Sequence, residues 1–120
     1  MCKRLKVGTI YHGFDDGKIN LTRLIDWKII KEIDLTKGTI DINLLEMLKS
    51  EVSTYHWIFN KDQDVIYKAQ AISTNGRYNN EIGQCYFLKS LDGWFGTGYY
   101  GSRLDEDGSL YKLALDSCLD

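Results

Sequence analysis

Two histidines, three cysteines and 17 acids are the side chains of this 120-residue chain from which acid–base, nucleophilic or metal chemistry would have to be built. A catalytic triad needs a His that is oriented by a carboxylate and lies beside a nucleophile. His12 stands in "IYHGFDD", at a predicted strand end, where Asp15 or Asp16 would orient it, and His56 stands in "TYHWIF", predicted as mid-strand. Neither has a nucleophile at a fixed spacing, so both read as structural. Cys85, between Gln84 and Tyr86 in a predicted strand, reads as a packed thiol rather than a nucleophile. No catalytic residue is assigned, and an enzyme is the disfavoured class.

Metal and phosphate chemistry fail on spacing. In "RLDEDGSLYK", aligning Asp105, Asp107 and Gly108 with positions 3, 5 and 6 of a calcium loop puts Arg103 at position 1 and Ala114, two residues beyond this stretch, at position 12, where acids are required. The segment reads instead as a tight turn with Asx hydrogen bonds, and no metal is expected. "GWFGTGYYG" lacks the P-loop pattern, and its aromatics would crowd a pyrophosphate. No spacing among the acids selects a pair for glycoside chemistry.

What the stretch from Gly93 to Arg103 does offer is a platform for a planar ligand. Trp and Tyr present flat apolar faces with a polar edge, and Gly lets a ligand approach. Arg103 adds a guanidinium fork for phosphate or carboxylate. The competing reading is that Trp94, Phe95, Tyr99 and Tyr100 pack a sheet while Gly96, Gly98 and Gly101 make bulges or bends. It weighs most on Trp94 and Phe95, because one of two adjacent tyrosines in a strand must point away from the core.

The elements that would position these residues follow from hydrophobic periodicity. Leu5 to Tyr11 predicts a first strand with Leu5, Val7 and Thr9 on one face, and "GFDDGK" a turn. Ile19 to Ile33 predicts a long strand with Ile25, Trp27, Ile29 and Ile33 on one side. "DINLLEMLKSEVST" changes period: Leu44, Leu45, Leu48 and Val52 form one stripe behind an Asp41 N-cap, with Glu46, Lys49 and Ser50 on the wet side. "TYHWIF" and "DVIYKAQAI" around "NKDQ" predict a hairpin, "STNGRYNN" a turn, "IGQCYFLKS" a returning strand, and "SLYKLALDS" a strand or short helix. The expected fold is therefore α+β: a strongly curved antiparallel sheet or small β-barrel of about five or six strands with one amphipathic helix.

Composition bounds the rest. With 43% hydrophobic residues, no Pro and no linker-like run, residues 1–120 read as a single domain with a core of its own. A net charge of −2 gives no field for nucleic acid. Residues 1–31 carry seven Lys and Arg against three Asp, and residues 104–120 one Lys against five acids, a structural hint because exposed pairs contribute only about 0–1 kcal/mol. Cys2, Cys85 and Cys118 are odd in number with no C-x-x-C, which suits reduced thiols in a cytoplasm. No leader-like or membrane-spanning apolar run occurs, so a soluble protein without membrane contact is expected.

"YHGFDDGKI" with a downstream Arg23, and "GWF" followed by "RLDEDGSL", resemble motifs of a group of small proteins from gut Firmicutes and their phages. The resemblance spans most of the chain, the middle matching in pattern only, and it implies a small protein that binds and blocks something of the host. Combined with the aromatic platform, the expectation is a cofactor-free binding protein of the host-cell cytoplasm. It sequesters a small planar anionic ligand, a nucleotide-derived immune signal, and assembles as a homo-oligomer. Trp94 and Tyr100 would stack on the ligand, Tyr99 would close its side, and Arg103 with Arg23 would meet its charge. The alternative is a protein–protein inhibitor of a host defence enzyme, with the same aromatics as its hot spot.

Overall fold

A computed structural model describes residues 4–15, 24–72, 83–90, 93–98 and 110–113. Six strands carry them: β1 (Ile10–Asp15), β2 (Leu24–Asp34), β3 (Val65–Ile72), β4 (Gln84–Ser90), β5 (Gly93–Gly98) and β6 (Leu110–Leu113). The helix α1 (Ile42–Thr54) lies between β2 and β3. Each strand pairs antiparallel with the next, and β6 returns to β1 through Gly13–Leu113, Phe14–Lys112 and Asp15–Tyr111, so the sheet is a closed barrel. The expected small barrel with one helix is the fold observed.

The period of 2 sends alternate side chains into the lumen. Tyr11, Ile25, Trp27, Ile29, Tyr67, Ala69, Ala71, Cys85, Phe87, Trp94, Tyr111 and Leu113 form that inner core. Its aromatic rings meet edge to face: Trp27 and Phe87 at 5.3 Å, Tyr67 and Trp94 at 5.1 Å. Such pairs add about 0.5–1.5 kcal/mol each beyond the area they bury. Small residues make the room, Ala69 and Ala71 on β3 and Gly96 on β5.

A second core lies outside the barrel, where α1 covers Ile66, Tyr86, Leu88 and Phe95 with Leu44, Met47, Leu48 and Val52. The start of β3 is therefore buried on both faces, which is why Val65, Ile66 and Tyr67 are all buried in succession. Asp41 caps α1 as expected, its carboxylate accepting from the Asn43 N–H at 2.8 Å.

Three expectations are corrected. The first strand is Ile10–Asp15 rather than Leu5 to Tyr11. Leu5 is buried as a plug while Val7 is 46% exposed, so the alternation read across them is not a strand face. The described part of the second strand starts at Leu24, and its register slips between Ile29 and Lys31. The extra residue at Ile30 turns Ile33 away from the lumen and opposite Ile66, under the helix.

"TYHWIF" is not a strand. Leu48, Val52, Tyr55 and Phe59 extend the helical stripe at spacings of 4, 3 and 4, and Ile58 and Phe59 donate back to the Tyr55 carbonyl. Helical spacing thus prevails over the β-branched and aromatic composition, leaving a single bridge from Phe59 to Ser90. His56 is consequently exposed on a turn, not mid-strand. His12 Nδ1 meets Asp26 Oδ1 across the β1–β2 ladder at 2.8 Å, while Asp16 and the Asp15 side chain, its expected partners, lie outside the described residues.

Candidate functional site at one end of the barrel

The two ends of the barrel are built differently. At one end the segment before β1 folds back over the lumen: Gly8 N–H donates to Ile29 O at 2.7 Å, and Ile29 N–H donates to Thr9 O at 3.0 Å. Leu5 is buried there, and the Lys6 N–H donates to the Tyr11 hydroxyl at 2.9 Å. Arg4 and Glu32 pair across the outside at 3.3 Å. This end is plugged by the protein's own chain.

The opposite end is where β1, β3 and β5 finish and β2, β4 and β6 begin. Three of the expected ligand residues attach to it in sequence. Arg23 directly precedes Leu24, the first residue of β2, and Tyr99 and Tyr100 directly follow Gly98, the last of β5. Arg23, Tyr99, Tyr100 and Arg103 themselves lie outside the described residues, as do the predicted turns "STNGRYNN" and "RLDEDGSL".

Trp94 is described. It is 1% exposed and stands edge-on to Tyr67 in the inner core, so it contributes packing rather than an open stacking face. Phe95 points the other way, into the core beneath α1, with the Lys112 ammonium 5.5 Å from its ring centroid. The aromatic Gly-rich stretch is thus a barrel strand as far as Gly98.

Among the described residues, two buried polar atoms of the lumen, Trp27 Nε1 and the Tyr67 hydroxyl, make no well-formed hydrogen bond. Burial raises the Tyr67 phenol above its ordinary value, with Glu32 and Tyr11 adding to the shift and the Leu5 N–H and Arg4 opposing it. Burial alone pushes the Cys85 thiol well up, which removes its nucleophilic form at neutral pH and agrees with the packed thiol expected from sequence. His12 and Asp26 make an exposed pair on the outer face of the sheet. Among the described residues no three His, Cys, Asp or Glu are grouped to hold a metal, and no helix is long and apolar enough to cross a membrane.

A different concavity escaped the sequence reading. Between α1 and the segment that follows it, a cavity of about 390 Å³ and another of about 580 Å³ share Lys49, Val52 and Lys61 as walls. Gln63 braces this segment, its amide donating to Asn60 O and Lys89 O and accepting from the Lys89 N–H. Lys89 also reaches Asp64 at 3.2 Å, and that hydrogen bond holds the Asp64 carboxyl below the usual range. Trp57, beside these walls in sequence, is 69% exposed. The available signal was the stripe Leu48–Val52–Tyr55–Phe59, which a strand assignment for "TYHWIF" concealed. No family model, no curated protein and no solved structure matches this chain.

Proposed function

We propose that this chain is a non-enzymatic binding protein, encoded by a phage or mobile element. In this reading it acts in the host cytoplasm, sequestering a small planar anionic ligand, a nucleotide-derived signal of host immunity. The observation that carries the proposal is topological. One end of the barrel is closed by Leu5 and its neighbours, while the other receives the strand ends bonded to Arg23 and Tyr99. Tyr100 and Arg103 follow within five residues of Gly98. Tyr100 stacks on the ligand, Tyr99 closes its side, and the two guanidinium groups meet its charge. Capture needs rigid walls and no turnover, and a closed barrel supplies such walls.

The test is to incubate the purified chain with a host metabolite extract, wash, denature, and analyse the released material by mass spectrometry. A retained anionic compound is expected. Its affinity should fall about 10–100-fold in Arg103→Ala, the scale of one charge-assisted hydrogen-bonded contact. Release of nothing by the wild type, or equal retention by Arg103→Ala and Tyr100→Ala, overturns the reading.

A second reading, inhibition of a host defence enzyme, is favoured by one observation: Trp57 presents a large, exposed aromatic surface of the kind that anchors interfaces. Recovery of a single host polypeptide on the wild type but not on Trp57→Ala, with no small molecule released, selects it.

A further inference from the structure

We propose that the trough between α1 and residues 55–63 is a second binding site, for a medium-chain fatty acid. The two cavities meet at Val52, and their floor is apolar: Leu48, Phe59, Ile66 and Leu88. Every charged group in their walls is basic, Lys49 and Lys61, with His56 beside them. Neither lysine makes an ion pair with a described residue, and no acid lines the trough among the described residues. The chemistry that satisfies such walls is an apolar body with an anionic head. The amide of Gln63 has both ends committed to backbone, so the lining offers a peptide no amide partner from that side chain. An acyl chain needs no hydrogen bonds, and its carboxylate would sit between the two ammonium groups at the mouth. This site is on the outer, helix-covered face of the barrel, away from the strand ends that bear Arg23 and Tyr99.

The experiment is a calorimetric titration of the full chain with decanoate below its micellar concentration, with octanoate and dodecanoate as a length series. Saturable binding of one decanoate is expected, tightening about fourfold for each added CH₂ until the trough is full. Val52→Trp fills the junction of the two cavities and should abolish binding. Lys49→Gln with Lys61→Gln should weaken it by about tenfold, because two exposed charges are removed and neither is needed for folding. Methyl decanoate, which has the chain without the charge, should bind as weakly to the wild type as decanoate does to the double variant. The proposal is overturned if decanoate does not saturate, if Val52→Trp binds it normally, if the ester binds as tightly as the acid, or if an acidic peptide occupies the trough and decanoate does not displace it. Retention of an anionic metabolite by Tyr100 and Arg103 is read on separate variants, so either site can fail alone.

Discussion

Gly96 on β5 pairs with Phe87 and lies diagonally from Cys85, both on the neighbouring strand β4, and its missing side chain leaves these two their room. A Cβ at residue 96 would lie 2.7 Å from Cys85 Sγ and 2.8 Å from the Phe87 ring, closer than packed carbon and sulfur tolerate. Gly96→Ala should therefore destabilise the fold by about 1–3 kcal/mol in urea denaturation. The companion Cys85→Ala removes one of the two clashing groups, so the double variant should lose less than the sum of the singles. Additive losses would show that the strain is relieved elsewhere. At this scale sequence was a partial guide. It identified Cys85 as a packed thiol, but it offered Trp94 equally as wall or ligand platform, because an aromatic between glycines has the same composition in either role. Only the pairing of β5 with β4 and β6 decides that Trp94 and Gly96 point inward.

Among the elements, β2 does the most to connect the two cores. Its first half fills the lumen with Ile25, Trp27 and Ile29, and after the slip at Ile30 its second half turns Ile33 toward α1. Deleting Ile30 would remove the bulge and still leave Ile33 opposite Ile66, because Ile29, Lys31, Glu32 and Ile33 would then alternate in, out, in, out. The expected outcome is an unchanged urea midpoint without dye binding; a lower midpoint together with dye binding would mean that the twist added at the bulge is needed to close the barrel. Periodicity made the helix, its Asp41 cap, β2 and β4 legible, since each carries five or more residues of one pattern. It failed at Leu5–Thr9, where three alternating residues imitate a strand although the backbone turns at Val7 and Gly8. It failed again at Tyr55–Phe59, where a helical stripe continues through strand-forming residue types. The Ile30 bulge left no trace, because one extra apolar residue in an apolar strand changes nothing in composition.

For the molecule as a whole, a lumen full of neutral, buried acids makes stability depend on alkaline pH. Cys85 and Tyr67 both hold their protons above the ordinary values of 9.0 and 10.0. In the unfolded chain the same groups ionise at those values, so the unfolded state sheds protons first as pH rises. Their contribution is complete below pH 9.0 and is lost progressively above it. Urea midpoints measured from pH 7 to 11 should fall beyond pH 9, and the fall should be shallower in Cys85→Ala with Tyr67→Phe, whatever the starting stability of that variant. A parallel decline in both proteins would locate the alkaline sensitivity outside the lumen.

Closure of the barrel also governs how copies of this chain can meet. An open sheet leaves a row of unpaired N–H and C=O groups on which another chain can template itself, by strand addition or by runaway aggregation. Here the ladder runs from β1 round to β6 and back, so each described strand pairs on both sides over at least part of its length and none is a free edge throughout. A symmetric assembly of this protein would therefore draw on side-chain surfaces such as the exposed aromatic shoulder at Trp57, an interface set by sequence rather than by backbone templating.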